Sequence, residues 1–167
     1  KTYFLAVGRP RDLVKNLQVP EGLITGIGEG VIEFSGKRIE LLKEMAPSIK
    51  TVISIVENNH GNAKLFKEGV NKAAESLGLK VVYIDIEKPE EILQALPKLT
   101  RDLGDAYISC PCQSNENYAK ELAAQLLKAK IVSINAEVAI GTKIGFLATY
   151  SDDRYKTGEY AAIKIDE

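Results

Sequence analysis

Thr51 to Val56 is an unbroken run of β-branched and apolar residues, with no alternation of polar and apolar positions. A strand that faces water on one side alternates, so this run predicts one covered on both faces by helices. The residues around it agree. Glu33 to Ala46 places Ile39, Leu42, Met45 and Ala46 on one helical face, with Pro47 closing the segment. Beyond the run comes a polar loop, Glu57-Asn58-Asn59-His60-Gly61-Asn62. A second helical pattern follows from Asn62 to Leu77, with Phe66, Val70, Ala73, Ala74 and Leu77 on one face and Gly78 just past its end. A second apolar run, Lys80 to Ile86, completes a strand–helix–strand unit, whose crossover makes the two strands parallel.

The cycle continues with a helix from Pro89 to about Leu99, a strand Ala106 to Cys110, a helix Asn115 to Ala129, and strands Lys130 to Ile134 and Ile144 to Tyr150. A last helix spans about Asp153 to Ile165. Pro89 with Glu90 and Glu91 behind it is an ordinary helix start. The alternation predicts a three-layer, doubly wound α/β fold around a mostly parallel sheet. Thr2 to Val7 reads as one more short strand. Gly8 to Gly30, carrying Pro10, Pro20, Gly22, Gly26 and Gly28, reads as irregular and linker-like.

The chain has 167 residues, enough for one core plus a fragment of another. Its 22 basic and 23 acidic residues nearly cancel, and no basic run is interleaved with aromatics, so nothing resembles a nucleic-acid surface. No apolar run approaches the roughly 20 residues of a membrane span. Cys110 and Cys112 flank Pro111; this spacing fits neither a zinc knuckle nor an easily closed disulfide, and two ordinary small residues at a strand end are the expectation. The single histidine, His60, has no visible set of metal-binding partners.

In a parallel sheet of this kind, small ligands sit at the carboxyl ends of the strands. Polar residues collect there: Glu57, Asn58 and Asn62 after one strand, Cys112, Gln113 and Ser114 after another, Glu137 after a third, and Thr149 and Asp153 around the last. Each has an ordinary structural reading as a turn or cap residue, and Asp153 suits a helix N-cap. Their shared edge points to a polar ligand cleft.

Catalytic patterns are missing. Ser109 and Ser114 have no nucleophile elbow and no histidine base. Gly26-Ile27-Gly28-Glu29-Gly30 lacks the third glycine spacing of a dinucleotide loop. Asp85 has no acid pair at the first strand end, as a phospho-receiver domain would need. The loop Glu57-Asn58-Asn59-His60 would repel the phosphate of a flavin. The expectation is a non-enzyme with no catalytic residues, no metal and no cofactor.

Phe34-Ser35-Gly36-Lys37-Arg38-Ile39-Glu40-Leu41-Leu42-Lys43-Glu44 with Pro47 resembles the opening of the C-terminal lobe in solute-binding proteins of ABC transporters, in the group related to tryptophan/tyrosine-binding lipoproteins. Leu23 to Gly28 resembles that family's crossing between lobes. Gly145 to Tyr150 and Asp153-Arg154-Tyr155-Lys156-Thr157-Gly158 resemble its last strand and final helix.

The resemblance implies a type I periplasmic-binding-protein fold. Residues 1–30 would be a remnant of an N-terminal lobe plus the hinge crossing, and residues 31–167 the C-terminal ligand-binding lobe. It also implies an extracytoplasmic receptor that binds a small polar, amino-acid-like solute by hinge closure and partners an ABC permease, with most of the N-terminal lobe lying outside this chain. A sensing domain of a signalling or regulatory protein with the same fold is the alternative. Asn62, Pro111, Glu137 and Asp153 match family positions, Asp153 being the acid that would face an ammonium group. Ala63 replaces a usual Ser, and Cys112-Gln113-Ser114 replaces Thr-Asp-Asn, so an aromatic ligand does not carry over.

Overall fold

The structure, a computed structural model, describes residues 4–8, 24–28, 30–136 and 141–166. The chain divides into two units, residues 31–151 and residues 1–30 with 152–167. The larger unit contains α1 (Val31–Met45), β3 (Thr51–Glu57), α2 (Ala63–Ser76), β4 (Lys80–Ile86) and α3 (Ile92–Ala95). It continues with β5 (Ala106–Ile108), α4 (Gln113–Asn117), α5 (Ala119–Lys128), β6 (Val132–Asn135) and β7 (Ala148–Thr149). The smaller unit contains β1 (Phe4–Gly8), β2 (Ile24–Gly28) and α6 (Arg154–Asp166).

Five parallel strands form one sheet in the order β4-β3-β5-β6-β7. As the uninterrupted apolar run predicts, Val52 to Glu57 are all buried. The period of two then sorts the strand residues between two cores. Val52 and Val56 of β3, with Ala106 and Ile108 of β5, pack against Ile39 and Leu42 of α1 and Phe66 and Val70 of α2. Ile53, Ile55 and Tyr107 point the other way and pack with Ile92, Leu122 and Leu126. The fold is the expected three-layer α/β arrangement.

On the first face α1 and α2 touch backbone to backbone. A Cβ at Gly69 would run into the carbonyl group of Ile32, so only glycine lets the helices approach this closely. The contact sets both helices over β3 and β5 and brings the start of α2 to the carboxyl end of β3.

Four sequence expectations change. The helix expected over Pro89–Leu99 is a single α-turn, α3, between two 3₁₀ turns, because Pro97 has no N–H for an α-helical bond. The helix expected from Asn115 is two helices, broken at Tyr118 (φ −111°, ψ 26°). The strand expected from Ile144 to Tyr150 shrinks to Ala148–Thr149, because a 3₁₀ turn and Gly145 at φ 113° redirect the chain first. Within the stretch read as irregular, β2 pairs in parallel with β1, from Phe4 opposite Ile24 to Gly8 opposite Gly28.

Candidate functional site

The chain leaves β3 for β4 on one side and later returns to place β5 on the other. This reversal is the topological switch point of the sheet. The connections after β3 and β5 leave toward opposite sides there, which opens a crevice between their carboxyl ends. Glu57 ends β3 and Ser114 lies in the first turn of α4, just past β5.

One hydrogen bond spans the crevice. The backbone N–H of Ser114 donates to Glu57 Oε2 at 3.1 Å. Glu57 is 7% exposed and Ser114 fully buried. Glu57 Oε1 has no hydrogen-bond partner among the described residues and is not one of the enclosed, unsatisfied side-chain atoms. A second link runs from Asn62 Nδ2 to the Pro111 carbonyl at 3.4 Å, tying the start of α2 to the loop after β5. His60 Nδ1 accepts the Asn62 N–H at 3.2 Å, which shapes the turn in between.

Beneath this surface lies Asn115, which sequence reasoning passed over as a helix start. It is 1% exposed, and its amide donates to the Ile55 carbonyl at 2.9 Å. Its Oδ1 accepts from Tyr107 Oη at 2.6 Å and Ser109 Oγ at 3.1 Å. Tyr107 in turn accepts the Ile55 N–H at 3.3 Å. Full burial pushes the Tyr107 phenol well above its ordinary range, so it stays neutral and able to donate. These bonds fasten the first turn of α4 to the middle of β3 and so fix where the Ser114 N–H points. An Asn beside a Ser at a helix start carries no sequence signal for that role; its depth becomes visible only once β3 and β5 are paired.

Cys110 and Cys112, expected as two ordinary small residues, are joined as a disulfide across Pro111, and both are buried. The Cys112 carbonyl accepts from the N–H groups of Asn115 (3.1 Å) and Glu116 (3.2 Å), so the bridged turn runs directly into α4.

The sequence-predicted residues do not all meet. Glu57, Asn62, Cys112 and Ser114 come together at the crevice, with Gln113 exposed beside them. Asn58 is turned to the outer flank of α2, where it donates to Glu87 Oε1 at 3.4 Å and accepts from Lys67 Nζ at 3.1 Å. Thr149 lies two strands away on β7, opposite Asn135. At that end of the sheet Arg38, which is nearly buried, donates to the Tyr150 carbonyl at 2.6 Å, and Phe34 packs edge-on against the Tyr150 ring at 5.8 Å. Glu137 lies outside the described residues. Asp153 belongs to the smaller unit, where its Oδ1 accepts from the N–H groups of Tyr155 (3.0 Å) and Lys156 (3.2 Å) and caps α6.

A separate open groove of about 630 Å³ runs along the edge strand β4, lined by Val82 to Asp85 and by Lys98, Thr100, Asp102 and Leu103. It lies away from the carboxyl edge. Among the described residues no group of three or more His, Cys, Asp or Glu side chains is placed to hold a metal ion, and no helix is long and apolar enough to cross a membrane.

The profile of the family described as ABC transporter substrate binding protein matches residues 5–166. The chain belongs to that family. It is a family of substrate-binding proteins, not of enzymes. No curated protein sequence matches the chain. Among solved structures, an ABC domain in complex with L-Trp from Streptococcus pneumonia is similar, with TM-score 0.82, 22% identity, and 97% of this chain covering 56% of that one. A ligand-free, open structure of a substrate binding protein with adhesive properties from Clostridium difficile has TM-score 0.67 and 23% identity, with 98% of this chain covering 56% of that one. A probable maltose operon transcriptional repressor from Staphylococcus areus has TM-score 0.64 and 18% identity, with 83% of this chain covering 52% of that one. The chain thus spans little more than half the length of these structures, and at such identities the likeness is one of fold. It is the fold of type I periplasmic-binding-protein lobes.

Proposed function

We propose that this chain is the ligand-binding lobe of the solute receptor of an ABC importer, placed outside the cytoplasmic membrane and presenting its loaded form to a permease. The crevice at the β3/β5 switch point carries the reading: it is lined by the end of β3 and the start of α4, and its polar groups are held by buried bonds rather than by solvent. Glu57, Asn62 and Gln113 form the wall that meets the solute, backed by the buried Cys112 and Ser114, with Thr149, Glu137 and Asp153 as further contact positions. Its ligand is a small polar, amino-acid-like molecule. A second lobe closes over this edge about a hinge, and the solute drives closure because it has more contacts in the closed form.

A thermal-shift screen of the full-length protein against amino acids, nucleosides and short peptides tests the reading. A solute present at 100 times its dissociation constant adds about 2.7 kcal/mol to the stability of the folded state. At least one amino-acid-like solute is expected to raise the melting temperature by several degrees. Stabilisation by FMN or a nucleotide, with none from any solute, overturns the proposal.

The likeness of fold to the maltose operon repressor favours one further reading, the same lobe used as a sensor in a regulatory protein. A neighbouring helix-turn-helix or kinase segment in the full-length chain would select it over transport.

A further inference from the structure

The geometry points to Glu57 as the residue that sets the charge preference of this site: it selects a solute that presents an ammonium or other cationic donor to the β3/β5 crevice and rejects one that presents a carboxylate there. The inference rests on the receptor reading above and adds a ligand class and a residue to it.

The Ser114 N–H already donates to Glu57 Oε2 at 3.1 Å, and the next residue, Asn115, donates its own N–H back to the Cys112 carbonyl at 3.1 Å. To reach the Ser114 N–H, an anionic ligand group would have to displace a carboxylate of the same sign. Glu57 is also nine-tenths buried with only one of its two oxygens engaged, and its Oε1 has no partner among the described residues. That oxygen is not enclosed, so it stays open to a donor from a ligand, and a cationic donor completes it best. The Asn115 network holds the Ser114 N–H in place, so Glu57 cannot easily swing away to solvent.

Each amino acid that stabilises the full-length protein is compared with its deaminated counterpart, the same carbon skeleton and carboxylate without the ammonium group, by calorimetric titration. Glu57→Gln is measured beside the wild type, because glutamine keeps an acceptor for Ser114 while losing the charge. Glu75→Gln, on the exposed end of α2, serves as the control for net charge.

The expected result is that the deaminated compound binds at least about tenfold more weakly than the amino acid, that Glu57→Gln weakens the amino acid by at least about tenfold and narrows the difference between the two, and that Glu75→Gln changes neither by more than about twofold. Unchanged amino-acid affinity in Glu57→Gln, with the variant melting like the wild type, overturns the role of Glu57 and leaves the receptor reading standing. Equal or tighter binding of the deaminated compound by the wild type overturns the charge preference. Failure of every solute to bind the wild type overturns the receptor reading and this inference with it.

Discussion

The segments at the carboxyl ends of β3 and β5 both carry asparagines, yet they use them in opposite ways. After β5, Asn115 is buried and makes bonds to Ile55, Tyr107 and Ser109 that no water can replace. After β3, Asn58 and Asn59 are exposed and bond to Glu87 at the surface, with Lys67 pairing to Asp85 nearby at 2.7 Å. A hydrogen bond in water exchanges one partner for another, whereas a buried group that loses its partner bears the full desolvation cost. The β5 side is therefore the rigid half of the crevice and the β3 side the adaptable half.

Three substitutions probe that contrast. Asn115→Ala strands the Ile55 carbonyl and the Tyr107 hydroxyl in the core, and is expected to cost on the order of 3 kcal/mol, read as a lower urea midpoint with an unchanged slope. A cost under about 0.5 kcal/mol, the scale of an ordinary surface change, would remove the distinction between the halves.

An intermediate case lies at the opposite, amino edge of the sheet, where the partly exposed Asp105 accepts the N–H groups of Lys50 (2.9 Å) and Thr51 (3.0 Å). These two bonds, Lys50 first, hold its carboxyl below the ordinary value of 3.8. A depressed folded-state value means the stabilisation is present above pH 3.8 and is lost as pH falls through the lower folded value. Asp105→Ala is thus expected to cost about 1 kcal/mol at pH 7, with the gap from wild type closing as acid protonates the native carboxylate. A gap that stays constant down to low pH would show that the charge is not what matters.

Asn59→Ala is expected to have the smallest effect, within about 0.5 kcal/mol, because water replaces Glu87 as its partner. A larger loss would mean that the β3 loop is as rigid as its neighbour.

The fold was legible wherever burial imposes a period. The unbroken Thr51–Val56 run, the 3.6-residue stripe from Phe66 to Leu77 and the Lys80–Ile86 strand place three elements and their parallel crossover with little ambiguity. Legibility failed where a single residue overrode the period: Pro97 just after α3, Gly145 before β7, and Tyr118 at the break between α4 and α5. At the site, the carboxyl-edge rule placed Glu57 and Ser114 on the same rim, but side-chain direction did not follow from it. Asn58, one residue on, faces outward to Lys67 and Glu87.

The position of β3 between β4 and β5 also bears on the order of folding. Val52 pairs with Val81, across the single helix α2, and with Ala106, which is nearly twice as far along the chain. Contacts between nearby segments form earlier because less chain entropy is lost in bringing them together. The β3-α2-β4 unit can close while β5 is still free, and the crevice does not exist until β5 arrives. A lobe arrested at that stage would hold α2 and one of the two β3 pairings, yet have no place to receive a solute.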